Sequence, residues 1–112
     1  MNPDTVLQEL VKVVEAGAFE GTVTLSVQGA LVTGRLSSRQ TYLNRLRQSL
    51  IVWPDPPRAH LDALLTTIEQ SVPSDPPEVL HLSDATVNGA KVGWWRGKIR
   101  AVDGFSVESF PA

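Results

Sequence analysis

The sequence predicts an α+β fold: a small five-stranded antiparallel barrel or strongly bent sheet, with an N-terminal helix and a two-helix insertion between strands two and three. Three observations predict it. The apolar period is helical near the start, becomes two over residues 21–36, returns to helical over 38–70, and is two again from residue 79. Gln28-Gly29, Asn88-Gly89 and Asp103-Gly104 punctuate the β portions as turn signals. Gly34 interrupts the second strand, where glycine marks a bulge or sharp bend. The 112 residues are read as one domain: helix over 1–17, hairpin over 21–36, helical insertion over 38–70 and three strands over 79–110.

Each element has its own justification. Asn2 is placed to cap the first helix, with Pro3 in its first position. Leu7, Leu10, Val11 and Val14 form its apolar face, Val6 and Val13 widen it, and Gly17 stops it. Val23, Leu25 and Val27 alternate with polar residues in strand one. Strand two, Ala30 to Leu36, turns Val32 and Leu36 to the core. Ser37-Ser38 caps a second helix, Arg39 to Ile51, with Leu43, Leu46 and Leu50 on one side. Trp53-Pro54-Asp55-Pro56-Pro57 ends it, and Asp55 is placed to cap a third helix faced by Leu61, Leu64, Leu65 and Ile68. The proline-bearing stretch Ser71 to Glu78 is a connector. Val79 to Val87 alternates as strand three. Lys91 to Val102 is a long strand, or a strand with a bulge, and Phe105 to Phe110 pairs back across the Asp103-Gly104 turn.

Composition narrows the function classes. Apolar residues are 42% and charged residues 20%, so a packed core is expected. With no cysteine there is no disulfide framework, thiolate metal site or cysteine nucleophile. No apolar run is long enough to span a bilayer, and the N-terminus lacks a secretory signal, so no membrane insertion and a cytoplasmic location are expected. The net charge of −2 conceals a pattern. Arg35, Arg39, Arg45 and Arg47 lie in one acid-free segment, and Lys91, Arg96, Lys98 and Arg100 in another. Joined in space, these segments form a positive face for phosphate or an acidic protein surface.

Catalytic patterns are missing from the sequence. His60 and His81 lack the spacing of a metal pair, no serine lies in Gly-x-Ser-x-Gly, and no glycine-rich phosphate loop occurs. Neither enzyme activity, a metal nor a cofactor is expected. The unusual string is Gly93-Trp94-Trp95-Arg96-Gly97. Consecutive strand residues face opposite sides, so one tryptophan enters the core and the other lies on the outer face. An outer tryptophan beside arginine is a contact-anchor composition, unless a helix of the same chain covers it.

The segments Val23 to Leu36 and Trp95 to Val107, the latter reading Trp-Arg-Gly-Lys-Ile-Arg-Ala-Val-Asp-Gly-Phe-Ser-Val, resemble the gas vesicle accessory protein U family. The likeness covers both β portions, about half the chain. It implies a non-catalytic bacterial protein that influences gas vesicle assembly or clustering. A fold-level likeness to Sm-like proteins, and so to small Sm-like or SH3-like barrels, rests on the leading helix, the hairpin with Gly29 and Gly34, and the Arg96-Gly97 step. The two-helix insertion departs from that pattern. Ser37-Ser38-Arg39-Gln40 stands where the base-binding Asp and Asn would follow strand two. RNA binding is therefore the alternative to protein association.

The expected activity is association with other proteins, with gas vesicle proteins as candidate partners, and self-association into a homo-oligomer through strand edges. The candidate partner-binding residues are Trp94, Trp95, Arg96, Arg35, Lys98 and Arg100.

Overall fold

A computed structural model describes residues 2–17 and 21–108. The elements run α1 (Thr5–Glu15), β1 (Thr22–Val27), β2 (Ala30–Ser37), α2 (Arg39–Ser49), a 3-10 turn (Leu50–Val52), α3 (Pro57–Gln70), β3 (Val79–Val87), β4 (Ala90–Lys98), a second 3-10 turn (Ile99–Ala101) and β5 (Val102–Val107). All five strands form one antiparallel sheet in the order β4-β3-β2-β1-β5. Among the described residues it does not close into a barrel, so of the two expected forms the open sheet is found, and β4 and β5 are its edges.

Local chemistry explains most boundaries. Asp4, rather than Asn2, caps α1: its Oδ1 accepts from the amides of Val6 and Leu7 at 2.9 and 3.1 Å. Ser38 caps α2 through the Thr41 amide, as expected. Asp55 does not cap α3. The N-cap position is Pro56, and Asp55 instead accepts from the Arg58 guanidinium at 2.9 Å. At both two-residue hairpins the pairs Gln28-Gly29 and Asn88-Gly89 have positive φ, which suits the twist of the flanking strands. Gly34 lies at a register shift in the β2–β3 pairing, with Leu82 Cβ and the Ser83 carbonyl each 3.0 Å from where its Cβ would stand.

The C-terminal β portion differs from expectation. The long strand ends at Lys98, because the 3-10 turn over Ile99–Ala101 drives the Ile99 side chain into the core at 0% exposure. Asp103-Gly104 is no turn. It lies inside β5 at a register irregularity, where Ser26 faces Gly104 and Val27 faces Val102. Asp103 uses its carboxylate to accept from the Gln28 amide. β5 consequently pairs with β1 and not with the strand before it. Residues 109–110 of the expected last strand, Phe110 among them, lie outside the described residues.

Two apolar clusters hold the molecule. Leu7, Val11 and Val14 of α1 pack on Val23, Leu25, Val32, Leu36, Leu80, Leu82 and Ile99, covering one face of the sheet. Burying such side chains supplies about 1.5–3 kcal/mol each. The second cluster is smaller: Leu43, Leu50 and Leu65, with Tyr42, Leu61 and Ile68 against them, join α2 to α3. Arg47 staples the same pair, binding Asp62 at 2.9 Å and Glu69 at 2.6 Å.

Candidate interaction face

Strand alternation sorts the expected contact residues between two faces. Leu82 pairs with Trp95, and Trp95 packs against the main core. His81 pairs with Arg96 and Val79 with Lys98, so Arg96, Lys98 and Trp94 share the opposite face. Arg35 joins them there, since Ser37, two residues along β2, pairs with His81. Arg35, Arg96 and Lys98 are exposed, while Trp94 and Trp95 are each half-buried. Arg100 is also exposed but sits in the second 3-10 turn, beside a hollow lined by Pro3, Gln8 and Glu78. The structure thus gathers Trp94, Arg96, Arg35 and Lys98 on one face and places Trp95 and Arg100 elsewhere.

α2 crosses the β3–β4 end of this face. Ser38 caps it immediately after β2, and the Arg39 amide donates to Glu15 Oε1 at 2.7 Å, which ties the start of α2 to the end of α1. Arg39 and Tyr42, one turn apart, then point toward the sheet. The Tyr42 ring lies 4.7 Å from that of His81 and 6.0 Å, edge-on, from that of Trp94. A helix of the same chain therefore does cover part of the outer tryptophan, and Tyr42 is the covering residue.

His81 is 3% exposed and its Nδ1 has no hydrogen-bond partner among the described residues. Burial, and then the positive charges of Arg96 and Arg39, lower its pKa from 6.5 to about 4, so the ring is neutral at pH 7. Two adjoining cavities open beside it. One of about 690 Å³ lies between the ends of α1 and α3, the start of α2 and the 71–79 segment. The other, about 350 Å³, lies between α2, α3 and the sheet. Arg39, Ile68, His81 and Arg96 line both. The two basic segments of the sequence thus meet in space through Arg39 and Arg96. Sequence reasoning gave His81 and Tyr42 no role in this site. The available signal was the i, i+3, i+7 stripe Arg39, Tyr42 and Leu46, which adjoins Leu43 and Leu50 on the helix surface.

The described residues contain no group of three or more His, Cys, Asp or Glu able to hold a metal, and no helix long and apolar enough to cross a membrane. Fold and site together define a small α+β protein with one face of its sheet packed as core and a basic, aromatic strand at one edge. The family model described as gas vesicle protein GvpU-like matches residues 4–110, and the chain belongs to that family. The match runs through the helical insertion, beyond the two β segments that carry the resemblance in the sequence. No curated protein matches the chain significantly, and no solved structure does so.

Proposed function

We propose that the chain is a non-catalytic, cytoplasmic accessory protein of gas vesicles that works by protein–protein association, both with gas vesicle proteins and with copies of itself. Membership of the GvpU-like family carries this reading. The face holding Trp94, Arg96, Arg35 and Lys98 is the contact surface; Trp95, packed against the core on the opposite face, and Arg100, in the second 3-10 turn, lie outside it. An aromatic anchor ringed by arginine and lysine supplies apolar contact and charge steering together.

Self-association uses the two sheet edges. β4 carries Lys91, Arg96 and Lys98 and no acid, whereas β5 and the residue after it carry Asp103 and Glu108 and no base. Edges of opposite sign favour head-to-tail pairing of β4 with β5 over pairing of like edges.

The test is flotation. Purified chain is mixed with intact gas vesicles and centrifuged gently, and the buoyant layer is assayed. The chain is expected to rise with the vesicles, and Trp94→Ala or Arg96→Glu to reduce the bound fraction at least fivefold without changing the circular dichroism spectrum. A chain that stays in the subnatant and is monomeric by light scattering overturns the reading. A ring-sized particle carrying nucleic acid turns the assignment to the RNA-binding alternative.

A further inference from the structure

We propose that the cavity between α2, α3 and the sheet is a binding site for a small amphipathic carboxylate, an acid with an apolar body. At about 350 Å³ the cavity falls at the lower end of the ~300–1,000 Å³ range of small-molecule sites. Its walls divide chemically. Leu43 and Leu46 of α2 and Leu61, Leu64 and Leu65 of α3 make an apolar chamber. At the sheet end stand Arg39 and Arg96, and among the described residues no carboxylate lines this cavity.

Those two arginines lack the partners expected of charges in such a place. Neither forms a salt bridge among the described residues. Among the described residues the Arg39 guanidinium donates only to the Ser71 hydroxyl and carbonyl, at 3.4 and 3.2 Å. Both arginines line the cavity beside the buried His81, and the positive charge of each lowers its pKa. A carboxylate accepts bidentate hydrogen bonds from guanidinium, which fixes its position as well as its charge. The adjoining larger cavity is mixed in charge: Glu15, Asp75 and Glu78 line it with Lys12, Arg39 and Arg96, and Lys12 is paired with Asp75 at 3.1 Å. The head group is thus held at the Arg39–Arg96 seam while the body lies among the leucines. Trp53, 46% exposed at the rim, reports on occupancy.

The groups facing His81 are Arg39 and Tyr42 from α2 and Arg96 from β4, with Lys12, Glu15, Asp75 and Glu78 across the larger cavity. A carboxylate seated at the seam offsets the two arginines and moves the His81 pKa upward from about 4.

Calorimetry on the full chain with sodium octanoate, octan-1-ol and octyltrimethylammonium tests the site, with NMR titration of the His81 ring as a second readout. Saturable octanoate binding is expected, at least tenfold tighter than octanol and with no binding of the cation. Arg96→Gln weakens octanoate at least tenfold, Arg96→Lys less so, and bound octanoate raises the His81 pKa. Arg39→Gln gives an independent loss, and unchanged thermal melts show that the variants fold. Equal affinity for octanoate and octanol, no saturable octanoate binding, or full octanoate affinity in folded Arg96→Gln each overturns the proposal.

Discussion

The indole of Trp95 occupies the space in which a Cβ on Gly97 would stand. The two residues lie on the same side of β4, so the missing side chain of one is the seat of the other. Trp95 closes the main core over Leu82 from that seat.

Gly97→Ala is therefore expected to displace the ring and destabilise the fold by about 1–3 kcal/mol, the usual cost of overpacking. Denaturant melts followed by tryptophan fluorescence measure it. Gly89 is a hairpin residue with positive φ and open space around it. Gly89→Ala strains the turn without moving Trp95, so its spectrum should stay native while its midpoint falls.

Stability should depend on His81 with a defined sign. Its folded pKa, about 4, lies below its ordinary 6.5, so the unfolded chain binds the extra proton. The contribution is complete above pH 6.5, is lost as pH falls toward 4, and amounts to ~3 kcal/mol at most. Chemical denaturation at pH 7 and pH 4.5 should show this loss in the natural chain. In His81→Phe the part due to this residue should vanish. An equal acid loss in both proteins would place its origin in carboxylates elsewhere.

The Arg47 clamp gives a local prediction. Arg47→Met keeps the apolar stem and removes both ion pairs to α3. Amide hydrogen exchange in α2 and α3 should accelerate, while that of β1, β2 and β3 stays slow. Uniform acceleration across the sheet would show that the insertion and the sheet open together.

Gly34 provides a test of close sheet packing. Leu82 Cβ, the Ser83 carbonyl and Ala85 Cα crowd the position at 3.0–3.2 Å. Gly34→Val is expected to disrupt the β2–β3 register and lower the melting midpoint more than Gly89→Ala does. An unchanged midpoint would mean that β3 shifts freely at its irregularity.

The elements were legible in the sequence because their signals are local. Ser38 next to a helical stripe, Asn88-Gly89 between alternating strands and Gly17 after Val14 each act within a few residues. Asp103-Gly104 misled because the same dipeptide suits a hairpin turn and a strand irregularity, and only the distant Gln28 amide decides which. The site was half legible. Trp94 and Arg96 stand out by composition, but the burial of His81 depends on Tyr42, which the chain brings back over the sheet from 39 residues away in sequence. Periodicity within β3 shows which residues alternate. It does not show that a helix from the insertion covers the second face.

The central position of β1 has a consequence for synthesis. Its β2 edge is filled within one hairpin, yet its other edge receives β5, where Val23 meets Val107. On the ribosome that edge stays open until nearly all of the described chain has emerged. Until then the backbone edge of β1 beside Val23 and Leu25 is unpaired and open to another polypeptide strand.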